Sequence, residues 1–61
     1  MTTDPTQEVV AEETWVDTHG DEVTLTLFSD GVMLVTAATE VELVREQVRQ
    51  VREWLLRHSQ P

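Results

Sequence analysis

A chain of 61 residues without cysteine forms one domain at most and contains no disulfide. Its net charge of −8 opposes a phosphate backbone, so no direct nucleic-acid binding is expected, and no run approaches the roughly 20 apolar residues that span a membrane. A domain this small buries only about 60% of the surface its unfolded chain exposes, so a further source of stability is needed, and association between copies is the one its composition favours.

Residues 1–7 are polar and threonine-rich around Pro5 and read as a flexible tail ahead of a single domain over 8–61. Met1 to Pro5 carries neither a basic nor an apolar leader, which together with the lack of cysteine points to a soluble cytoplasmic protein. From Glu8 to Val16 the residues Val9, Val10, Ala11, Trp15 and Val16 suggest a strand. A short helix over Glu8–Thr14 is the competing reading, because Val9, Val10 and Glu13 do not alternate cleanly.

Asp17-Thr18-His19-Gly20-Asp21 is a turn, and Val23, Leu25 and Leu27 then alternate with Thr24, Thr26 and Phe28 in the period of a half-buried strand over Glu22–Phe28. Ser29-Asp30-Gly31 turns the chain again, and Val32–Thr36 is a short apolar strand. Thr39 and Glu42 have the spacing of a capping box, and Val41, Val44, Val48, Val51 and Leu55 follow at helical spacing, which predicts a helix from near residue 40 to Ser59. Arg57 and His58 suit its C-terminal end, and Pro61 closes the chain. The expected fold is α+β, a three-stranded antiparallel meander with one C-terminal helix packed on it.

Two-residue turns at His19-Gly20 and Asp30-Gly31 would place Val16 opposite Val23, Trp15 opposite Thr24, Leu27 opposite Leu34 and Phe28 opposite Met33. The helix would then lie on Val16, Val23, Leu25, Leu27, Val32 and Leu34, leaving Trp15, Phe28, Met33 and Val35 on a second face too apolar to stay wet without a reason. A three-residue first turn would instead carry Trp15 into the core.

No catalytic, cofactor or metal site is expected. Asp17, His19 and Asp21 alternate like ligands but belong to a turn, His58 suits a helix C-terminus without further function, and Glu12 and Glu13, adjacent in a strand, point to opposite faces. Ser29 and Ser59 have no histidine nearby in sequence to activate them. What stands out is surplus apolar surface. Trp15, Phe28, Met33 and Val35 on the sheet, and Trp54 with Arg45, Arg49 and Arg52 on the helix, form the candidate partner-binding surface.

The expectation is a small acidic, non-enzymatic protein-protein interaction module, a homodimer with an accessory or regulatory role that also binds another protein. The alternative is an inhibitor whose Glu12, Glu13, Asp17, Asp21, Glu22 and Asp30 mimic the phosphates of DNA. Those carboxylates also suffice as a solubility coat.

Overall fold

The computed structural model describes residues 7–58. Strand β1 (Val9–Val16), strand β2 (Glu22–Phe28) and strand β3 (Met33–Ala37) form one antiparallel sheet in the order β1-β2-β3, followed by helix α1 (Arg45–His58). This is the expected α+β meander with a C-terminal helix. The competing helix over Glu8–Thr14 does not form. Apart from Gln7, the expected tail lies outside the described residues, as do Ser59 and Pro61 at the other end.

Both turns differ from the two-residue expectation in the same way. The Gly20 N–H donates to the Asp17 carbonyl at 3.1 Å, and Asp17 donates its N–H to the Asp21 carbonyl at 2.9 Å. In the second hairpin Gly31 donates to the Phe28 carbonyl at 3.0 Å and Phe28 to the Val32 carbonyl at 2.9 Å. Each loop therefore has three residues, Thr18-His19-Gly20 and Ser29-Asp30-Gly31, with the glycine left-handed at φ 83° and 87°. Only glycine enters that region without strain, and this is the type I turn with a glycine bulge that suits three-residue hairpins.

One extra loop residue reverses which face an outer strand shows. Trp15 pairs with Val23, Glu13 with Leu25 and Ala11 with Leu27, while Met33 pairs with Leu27 and Val35 with Leu25. Directly opposed residues share a face, so Trp15, Glu13, Met33 and Val35 join Val23, Leu25 and Leu27 on the helix side. Val16, Phe28 and Leu34 lie on the other side with Thr24 and Thr26. The central strand is oriented as expected and both its neighbours are turned over.

The helix begins at Arg45, five residues later than expected. Val41 and Leu43 are half-buried against the core while Glu42 and Val44 face outward, the alternation of an extended segment. The Thr39–Glu42 capping box is not formed, because the Glu42 N–H goes instead to the Asp17 carboxylate at 3.0 Å. Val44 occupies the cap position, its carbonyl accepting the Val48 N–H at 3.0 Å and its own N–H donating to Gln47 Oε1 at 3.2 Å. Gln47 thus supplies the returning half of a capping box.

The core consists of Trp15, Val23, Leu25, Leu27 and Trp54, edged by Ala11, Val41, Leu43, Val51 and Leu55. Trp54 meets Trp15 edge to face with ring centroids 5.7 Å apart, and Trp15 Nε1 donates to Gln50 Oε1 at 3.2 Å, which satisfies the one polar atom of that indole. The two tryptophans, 8% and 6% exposed, are buried at the centre of the domain and not left open as the docking-surface expectation had them. Among the described residues no large side chain falls below 2% exposure. The core is thin.

Candidate functional site

Helix α1 packs on β1, so the sheet is covered unevenly. Every residue of β3 is exposed, including Met33 and Val35 on the helix side. Leu34 is 54% exposed on the opposite side and Val32, just before the strand, is 51% exposed. Strand order makes β3 an edge, with β2 on one side and no further strand on the other among the described residues. The candidate site is this edge.

Its backbone phase follows from the hairpin. The Phe28 N–H bonds to the Val32 carbonyl, and in an antiparallel pair hydrogen-bonded and non-bonded pairs alternate. Leu34 and Thr36, paired with Thr26 and Thr24, therefore turn their backbone groups toward β2. Met33, Val35 and Ala37 turn theirs outward. From Gly31 to Thr39 there is no charged residue, in a chain of net charge −8. The edge is neutral, apolar and open to another strand.

The other expected partner-binding residues are dispersed. Phe28 is half-buried on the face away from the helix. Trp15 and Trp54 are withdrawn into the core, because the three-residue first loop turns β1 over. Arg45, Arg49 and Arg52 remain exposed and line a shallow hollow around Val48. Arg49 bonds Glu46 Oε2 at 2.7 Å, and that carboxylate raises the guanidinium pKa further.

The acidic residues do not share one surface. Asp17 is buried, contrary to its place in the expected acidic surface. Its Oδ1 accepts the N–H of His19 and of Asp21, each at 2.9 Å, and its Oδ2 accepts that of Glu42. The Glu42 N–H is the largest cause of a pKa below the ordinary aspartate value; burial pulls the other way, and the N–H groups of Asp21 and His19 and the His19 ring add to the lowering. Asp17 ties the first hairpin to the segment leading into the helix. Both its oxygens are engaged by backbone N–H groups, and His19 Nε2 lies 3.6 Å from Glu42 Oε1 at the surface.

Glu12 and Glu22 lie on the face away from the helix, where Glu12 Oε2 accepts the Thr26 hydroxyl at 2.9 Å. Glu13 lies on the helix side, beside a cleft lined by Trp15, Gln50, Glu53, Trp54 and Arg57. Asp21 is half-buried in the first turn, and Asp30 is in the second, at the opposite end of β2, where its Oδ1 accepts the Val32 N–H at 3.1 Å.

Sequence reasoning assigned Leu34 and Val32 to the core floor and so missed half of the exposed edge. The uncharged run from Gly31 to Thr39 was the signal that could have found it. Among the described residues no group of three histidine, cysteine or acidic side chains could hold a metal ion, and no helix is long and apolar enough to cross a membrane. Comparison with known proteins finds no matching family model, no similar curated protein and no similar solved structure.

Proposed function

We propose that this chain is a small acidic, non-enzymatic protein-protein interaction module, a homodimeric accessory or regulatory protein of the cytoplasm that also docks on another protein. One observation carries the reading: β3 is a neutral, apolar edge exposed on both faces in a domain whose core is thin. Burial of such an edge by a partner stabilises the fold and completes the backbone hydrogen bonding of the sheet.

Mimicry of DNA gains less support. A phosphate mimic needs its carboxylates in a row on one surface, and these are divided between two sheet faces, two turns and one buried site.

Sedimentation equilibrium across a concentration series, with unfolding followed in the same samples, tests the proposal. The expected result is a mass rising toward that of two chains, together with stability that rises with concentration. A single-chain mass and concentration-independent stability throughout would sink the homodimer.

A further inference from the structure

From the edge geometry we infer that the occupant of β3 is the β3 of a second copy, paired antiparallel about a two-fold axis at Val35. This rests on the interaction reading above and specifies where and in what register the chain meets its partner.

Charge selects the edge. In an acidic chain two copies repel wherever carboxylates face each other, and an isologous contact brings each patch against itself. Self-pairing through β1 would bring Glu12 and Glu13 together with their counterparts. Self-pairing through β3 sets the uncharged Met33, Leu34, Val35, Thr36 and Ala37 against each other and leaves carboxylates, Asp30 and Glu40, only at the two ends. The second copy is the partner whose edge is known to match this one in length, neutrality and apolar character.

Hydrogen bonding selects the register. With the axis at Val35, Val35 faces its own counterpart and Met33 faces Ala37 of the other copy, so every outward backbone group of these three residues is paired. An axis at Leu34 leaves Ala37 without a partner. An axis at Met33 would call on Gly31, whose N–H already donates to the Phe28 carbonyl and whose left-handed φ breaks the strand. The two sheets then become one continuous sheet, with both helices on the same face. Asp30 and Glu40 flank the neutral strand at its two ends, so added salt screens their repulsion and does not weaken the dimer.

The absence of cysteine in the native chain makes a direct test simple. Single variants Leu34→Cys, Val35→Cys and Thr36→Cys are oxidised at a protein concentration where the wild-type chain sediments as a dimer. At the axis the two Cα atoms of residue 35 lie about 5.5 Å apart, within disulfide reach. Those of residue 34, or of residue 36, lie roughly 8 Å apart, beyond it. Val35→Cys should cross-link at least about tenfold faster than either neighbour.

Val35→Pro supplies a second readout. The Val35 N–H points away from β2, so proline there leaves the monomer's own sheet intact while blocking the dimer bonds. The expected result is a chain of single mass with the strand signal retained in circular dichroism at high concentration. A dimer in which Val35→Cys cross-links no faster than Leu34→Cys or Thr36→Cys, or in which Val35→Pro still dimerises, overturns the β3 pairing and leaves the interaction module standing. A monomer at every concentration overturns the second copy as occupant together with the homodimer.

Discussion

The sheet has two edges, and they are built differently. Along β1 a register shift between Val9 and Ala11 bends the strand, the acidic side chains of Glu12 and Glu13 project from it, and Gln47 Nε2 donates to the Val16 carbonyl at 2.7 Å. Bulge, charge and cover are the means by which sheet proteins prevent strand addition. Among the described residues the β3 edge has none of them. Its ladder with β2 is regular, it carries no charge and no proline, and the helix lies elsewhere. Among the described residues the same short domain contains the devices for closing an edge and places them on β1 alone.

The core that holds β1 is where a single substitution costs most. Trp54→Ala removes the ring that closes over Trp15, and truncating a buried tryptophan costs about 3–5 kcal/mol. That is as much as a domain of this size commands. The variant should lack a cooperative melting transition by circular dichroism. Met33→Ala, equally apolar but on the uncovered strand, should retain one. A cooperative transition near the wild-type temperature in Trp54→Ala would mean that the two indoles do not hold the helix to the sheet.

A matched pair of valines sharpens the difference between edges. Val16 on β1 is 48% exposed and Val35 on β3 is 56% exposed, so lysine at either site leaves the monomer's core untouched. Val35→Lys should weaken self-association at least about a hundredfold, because it places like charges against each other at the two-fold axis. Val16→Lys should leave association unchanged. Equal effects at the two positions, measured by sedimentation, would remove the distinction drawn between the edges.

Asp17 gives the joint between β1 and the helix a pH dependence. Its folded-state pKa lies below the unfolded value because three backbone N–H groups favour the carboxylate. Its contribution is therefore fully present above the unfolded pKa, about 3.9, and is lost as pH falls through the lower folded value. The titratable residues around it are Asp21, His19 and Glu42. Asp17→Asn retains one oxygen acceptor and loses the charge, so it should melt below wild type at pH 7, with the gap closing toward pH 2. A gap that is the same at both ends of that range would show that the charge of Asp17 contributes nothing.

Element order was legible in the sequence because it depends on local signals: glycine after polar residues in both turns, alternation in β2, and helical spacing after residue 44. Register was not. Asp30-Gly31 suits a two-residue hairpin as well as the last two positions of a three-residue one, and alternation could not arbitrate because β1 and β3 carry apolar residues on both faces. The helix start was obscured for a similar reason. Thr39 and Glu42 form a good cap on paper, but the Glu42 N–H is taken by Asp17, which is 25 residues distant and invisible to a local pattern. The site was half legible: Met33 and Val35 were expected to lie open, whereas the burial of Trp15 and Trp54 depends on a contact between β1 and α1 that only the folded chain makes.

The smallest effect concerns the clasp that distinguishes β1. Gln47 serves two roles at once, capping the helix through Oε1 to the Val44 N–H and covering the β1 edge through Nε2 to the Val16 carbonyl. Gln47→Ala loses both bonds at an expected cost of about 1–2 kcal/mol, read as a drop of roughly 4–8 °C in melting temperature for each kcal/mol. Gln47→Glu separates the roles. Its carboxylate still accepts from Val44 and favours the helix N-terminus, but it cannot donate to Val16 and brings negative charge toward that carbonyl. It should therefore melt between wild type and Gln47→Ala, with the remaining deficit assigned to the edge. If Gln47→Glu matches wild type, the Val16 bond contributes nothing and β1 is guarded by its bulge and its carboxylates alone.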